Sequence, residues 1–74
     1  QDDPLWIALK AKRLELAREQ EVPPYLIFHD STLLEILNRR PGSLDEMSRI
    51  SGIGTSKLER YGDEFLEVLE EHAH

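Results

Sequence analysis

An all-α bundle of five short helices is the fold this sequence predicts, and three observations carry that reading. Apolar residues recur at helical spacing along most of the 74 residues. No segment alternates apolar and polar residues with the two-residue period of a half-buried strand. Proline and glycine fall where they cut the pattern into helix-length pieces.

Asp3 followed by Pro4 predicts the first helix start, since aspartate caps orphan N–H groups and proline suits the first helical position. At about 100° per residue, Leu5, Trp6, Leu9, Leu16 and Ala17 share one face of "LWIALKAKRLELAREQ", with Lys12 and Arg13 at its border. Ile7, Ala11 and Leu14 fall on the opposite side. Val22-Pro23-Pro24 must interrupt the helix, because proline lacks an N–H and restricts the residue before it. "YLIF", residues 25–28, follows as a buried apolar connector or single turn.

Asp30, Ser31 and Thr32 offer caps for a second helix, and Thr32 with Glu35 fits a capping box. Leu33, Ile36 and Leu37 make its inner face, and Pro41-Gly42 stops it. Ser43 with Glu46 is a second capping box, opening a third helix with Leu44, Met47 and Ile50 inward. A Gly52-Ile53-Gly54 turn leads into a fourth helix, through Leu58 to Tyr61, and Gly62 is placed to end it in a left-handed conformation. Asp63 then caps a fifth helix, with Phe65, Leu66, Val68 and Leu69 together and Asp63, Glu64, Glu67, Glu70 and Glu71 opposite.

The chain is one small domain spanning 1–74, with 1–4 and 72–74 expected to fray, and it is near the lower limit for a core that folds unaided. Without cysteine, neither disulfides nor thiolate metal sites can staple it. No apolar run approaches the ~20 residues of a membrane span and no signal-peptide pattern opens the chain, so a soluble protein with no membrane partner is expected. The abrupt start reads as a fragment. His29-Asp30-Ser31 holds the three side chains of a hydrolase triad, but adjacent residues cannot converge as a triad must. The three histidines lack ligand spacing, so no metal and no cofactor are implied. Trp6, beside Leu5 and Leu9, belongs to the core or its edge.

The net charge of −6 is unevenly placed. Asp2 and Asp3 open the chain, residues 5–62 carry nine bases against eight acids, and residues 63–74 carry five acids and no base. The body is therefore nearly neutral and the acidity belongs to the last helix.

Ile50-x-Gly52-Ile53-Gly54-x-x-x-Leu58 has the form of a helix-hairpin-helix turn. Its glycines open backbone angles closed to other residues and let a partner approach, while Ile53 plugs the core. The N–H groups of Gly54, Thr55 and Ser56 would face outward with the positive helix pole behind them. Thr55 and Ser56 add hydroxyl donors, Lys57 adds a charge, and Arg60 lies one turn on. Such a turn would hold a phosphate without reading a base. It also serves, with no ligand, as a tight corner whose Ser and Thr cap the next helix. On either reading Gly54→Ala is expected to damage folding, whereas Lys57→Ala weakens binding only if a phosphate sits there.

Two stretches together resemble one family, the HRDC domain (helicase and RNase D C-terminal) of RecQ-type DNA helicases. "VPPYLIFHDSTL", residues 22–33, looks like that family's Val-Pro-Pro-Tyr signature, and "GIGTSKLERYG", residues 52–62, looks like its glycine hairpin. The resemblance implies a compact five-helix module without catalysis of its own, auxiliary to an ATP-dependent helicase in DNA repair and recombination. It implies weak, sequence-independent contact with single-stranded or branched DNA, with Tyr25 as a stacking platform. Stacking on an aromatic ring is worth about 1–3 kcal/mol per base. Basic companions would come from Lys10, Arg13, Arg39, Arg40, Arg49, Lys57 and Arg60. The implied setting is intracellular, a bacterial cytoplasm or nucleoid rather than a eukaryotic nucleus, and the domain itself is expected to be a monomer.

This chain departs from the family's DNA-binding members in its acidic last helix. An acidic copy suits a second role, docking on other domains of the parent helicase or on a partner without DNA. Candidate contacts are the apolar pair Ile7 and Leu14 and the acids Glu64, Glu67 and Glu71. A third reading is the accessory domain of an RNase D-like exonuclease, with structured RNA as ligand.

Overall fold

Local signals set the helix ends. In the computed structural model, which describes residues 3–73, Asp3 accepts the Leu5 N–H at 2.9 Å and α1 runs Pro4–Gln20. The expectations for Gln1, Asp2 and His74 lie outside the described residues. Glu21 takes the left-handed conformation (φ 57°), letting the Val22 N–H reach back to the Ala17 carbonyl at 3.0 Å before the prolines. Pro24–Leu26 form one 3₁₀ turn. Tyr25 and Leu26 are exposed and Ile27 and Phe28 fully buried, so only half of the connector expected to be interior is interior.

Helix α2 is Asp30–Arg39, ended by a left-handed Arg40 ahead of Pro41. Its expected Thr32–Glu35 capping box does not form. His29 sits at the cap without a side-chain bond, the Asp30 carboxylate goes to Arg13, and Glu35 pairs with Arg39. Thr32 lies one turn inside, buried on the face of Leu33 and Ile36, and donates to the Ser51 carbonyl at 3.4 Å. The short α3, Leu44–Met47, is capped as expected at Ser43, whose hydroxyl accepts the Glu46 N–H at 3.1 Å. Glu46 closes onto the Gly42 N–H at 2.7 Å.

The fourth and fifth helices of the sequence reading are one. Helix α4 runs unbroken from Thr55 to Glu71, so the described residues hold four α-helices rather than five, and no strand. Gly62 terminates nothing. It is buried mid-helix, where a Cβ would stand 2.6 Å from Leu44 Cδ2 and 3.3 Å from Leu58 Cδ1. Its lack of a side chain lets Leu44 lie across α4. Leu44 itself, expected inward, remains 39% exposed because it rides over the helix rather than into the core.

Helix α1 packs on α2, the 3₁₀ turn and α4, and α3 packs on α4. The core gathers around Phe28, with Phe65 edge-on at 5.1 Å and Tyr61 at 6.0 Å. The Tyr61 hydroxyl donates to Gln20 at 2.8 Å and ties α4 to the end of α1. The radius of gyration, 11.2 Å, equals the roughly 11 Å expected of a close-packed chain this long.

Candidate nucleic-acid interface

The hairpin is built from two plugs and one obligatory glycine. Ile50 and Ile53 are buried, and the Ile53 N–H bonds the Ile50 carbonyl at 3.2 Å to close the bend. Between them Gly52 adopts φ 92°, and a Cβ there would collide with the Thr32 hydroxyl. Gly54 is different. It caps α4 with φ −82° and ψ 171°, ordinary extended angles, and nothing lies within 4 Å of where its Cβ would stand. The expectation that Gly54→Ala damages folding is therefore corrected: the conformational demand falls on Gly52 alone.

Gly54 brings no capping side chain, and the first intrahelical bond is Leu58 N–H to the Gly54 carbonyl at 2.9 Å. The N–H groups of Thr55, Ser56 and Lys57 consequently find no acceptor among the described residues. No acid stands in the first turn of α4, so the positive pole is uncompensated. Thr55, Ser56 and Arg60 are exposed.

The two motifs that carry the family resemblance touch each other. Thr32 of the first bonds Ser51 at the mouth of the second, and Lys57 Nζ lies 5.9 Å from the centre of the Phe28 ring. Three residues before Phe28, Tyr25 is 55% exposed, stacked on His29 at 6.0 Å and 22°. Its ring is thus presented to solvent instead of being packed beneath the loop.

The basic candidates divide. Arg13 is committed to the fold: its side chain is 12% exposed and its Nη1 donates to Asp30 at 2.7 Å and to the Phe28 carbonyl at 3.0 Å. Arg39 and Arg49 stand around one shallow hollow with Pro41, each held by its own i−4 carboxylate at 3.2 and 3.0 Å, and Arg40 reaches Asp3 at 3.8 Å. Lys10 lies over Trp6 at 5.4 Å. Lys10, Lys57 and Arg60 have no carboxylate partner among the described residues, and neither does Arg18, which sequence reasoning passed over. Nothing local separates Arg18 from Arg13; pairing across 17 residues does. Lys12 bridges Glu15 and Glu64 at 3.2 and 3.5 Å. The hydrogen bond to Glu15 foremost, outweighing partial burial and joined by the charges of both acids, holds its ammonium above the ordinary lysine range. It is charged and occupied.

The sequence matches the HRDC domain family over residues 2–69. The chain is an HRDC domain. Its backbone superposes on "D. radiodurans RecQ HRDC domain 3" with a TM-score of 0.89 at 29% identity, covering 92% of this HRDC domain and 90% of that one. It is 39% identical over 71 residues to the ATP-dependent DNA helicase RecQ of Haemophilus influenzae, 96% of this chain and 12% of that protein. It is 41% identical over 68 residues to the ATP-dependent DNA helicase UvrD2 of Mycobacterium bovis, 92% of this chain and 10% of that protein. The HRDC domain thus spans about a tenth of the length of these curated relatives.

Proposed function

We propose that this HRDC domain is an auxiliary module of an ATP-dependent DNA helicase in DNA repair and recombination. It makes weak, sequence-independent contact with single-stranded or branched DNA. ATP hydrolysis and strand separation would belong to the rest of the parent protein, whose relatives are named as helicases. Those names favour DNA over the structured RNA of an RNase D-like parent.

The observation that carries the reading is the bare start of α4. Three unpaired N–H groups, no acid in the first turn, and Lys57 and Arg60 on the first two turns against the single acid Glu59 suit a phosphate. Tyr25, exposed three residues before the Phe28 ring that Lys57 covers, offers a face for a base. Two cations are few, so affinity near the ~10⁻⁴–10⁻⁶ M of non-specific contacts is expected.

An NMR titration of the domain with a single-stranded oligonucleotide tests this. The amides of Gly54, Thr55 and Lys57 and the ring signals of Tyr25 should shift. Binding of two phosphates predicts a salt slope of about −1.4, and Lys57→Ala should remove about 0.7 of it. Because Lys57 also covers Phe28, Arg60→Ala is the parallel variant that leaves the core alone. Unmoved hairpin amides, or a slope that neither variant changes, would overturn the DNA reading.

A further inference from the structure

Helix α4 carries its charges against its own dipole. Lys57 and Arg60 stand near its positive start, while Glu70 and Glu71 stand at its negative end with no base in the last turn. Each such placement costs stability instead of adding to it, and ligands of opposite sign at each end would reverse that cost. The start is the phosphate site proposed above. The acidic end borders a different feature.

Leu5 at the start of α1, the turn at Pro41 and the outer side of α4 enclose an open groove of about 590 Å³. That lies within the ~300–1,000 Å³ of ordinary ligand sites. Its floor is apolar, with Leu5 and Leu69 buried and Leu66 half-buried. Its rim carries Asp63, Glu67 and Glu70, exposed and without an ion-pair partner among the described residues, and Arg40, whose guanidinium reaches Asp3 at 3.8 Å, so the rim is acidic on balance. Glu64, also at the groove, is balanced by Lys12 at 3.5 Å. Ile7 and Leu14, although 50% and 40% exposed, do not line it.

We propose that this groove docks a basic amphipathic helix of a partner protein. The groove follows α4 from Asp63 to its end at Glu71, about 12 Å at 1.5 Å per residue, and continues past the cap to Ala73, which matches at least two turns of a helix laid alongside. An apolar side chain would rest on Leu66, and lysines or arginines three or four residues to either side would meet Asp63, Glu67 and Glu70. The same rim repels nucleic acid, so this face and the hairpin take ligands of opposite charge. The proposal stands on the groove and does not depend on the DNA reading.

The test is a titration of the isotope-labelled domain with a synthetic helix of about 14 residues, leucine on one face and lysine on the other. A counterpart with glutamate for lysine is the control. The lysine peptide should shift the amides of Leu66, Glu67, Glu70 and Ala73 and raise the melting temperature. Its affinity should fall at least about fivefold as salt rises from about 0.05 to 0.3 M. Glu67→Lys and the milder Glu70→Gln should each weaken it, the former by about tenfold or more, while the hairpin's response to DNA persists. Equal binding of the glutamate peptide would overturn the proposal. So would shifts confined to the Ile7–Leu14 side, or groove shifts that follow protein concentration without peptide, which would place a second copy in the groove.

Discussion

Phe28→Ala should remove about 3–5 kcal/mol of stability, most of what so small a domain possesses. Phe28 is fully buried at the meeting point of the 3₁₀ turn, α1 and α4, with Phe65 and Tyr61 packed edge-on against its ring. Its carbonyl takes the Arg13 guanidinium at 3.0 Å. Truncation therefore loses the buried ring area, two aromatic contacts and the floor beneath Lys57. Urea denaturation followed by circular dichroism measures the loss. Phe28→Leu keeps much of the volume and should cost well under half as much. A loss below about 1 kcal/mol for the alanine variant would show that the core is not organised around this ring.

Gly52→Ala and Gly54→Ala should part company, although the motif presents the two glycines alike. At Gly52, φ 92° strains any L-residue by about 1–3 kcal/mol, and the new methyl would displace the Thr32 hydroxyl from Ser51. At Gly54 the angles are ordinary and the space is open, so alanine should cost only about 0.5–1 kcal/mol, as a poorer cap and not through strain. Gly54→Asp sharpens the contrast. A carboxylate there caps α4 and complements its dipole, adding about 0.5–1 kcal/mol, yet it occupies the N–H groups a phosphate needs. The variant should melt higher than the parent and bind single-stranded DNA more weakly. Equal destabilisation by both alanines would refute the assignment of the strain. A Gly54→Asp variant that still binds DNA normally would take the phosphate away from this corner.

Those opposite signs explain a composition that looks self-defeating. A net charge of −6 is unpromising for a nucleic-acid module, but the field near α4 is set by where the charges stand. Five acids lie in the final twelve residues and none in the first turn of α4. Over the length of α4, screening at physiological salt, with a Debye length of about 8 Å, separates the two ends electrically. One helix can therefore accommodate both the anion site proposed at its start and the docking groove proposed near its end.

Signals written within a turn or two of chain were legible in the residues themselves. The Asp3 cap, the stripe of Leu5, Leu9, Leu16 and Ala17, the break at Val22-Pro23-Pro24, the Ser43 cap and the Ile50 and Ile53 plugs each depend on near neighbours. The family signature was legible for a related reason: its two strings are what the Thr32–Ser51 and Phe28–Lys57 contacts require. What tertiary packing decided lies where sequence neighbours are silent. Gly62 resembles a helix terminator until Leu44 is seen crossing it, and Arg13 resembles any surface cation until Asp30 and Phe28 close on it. Thr32 resembles a cap until the bend at Gly52 claims its hydroxyl. Periodicity and capping are short-range chemistry, encoded in a few adjacent residues. Which glycine is strained, which cation is spent and where a groove remains open depend on side chains brought together from distant parts of the chain, as Tyr61 and Gln20 are from 41 residues apart.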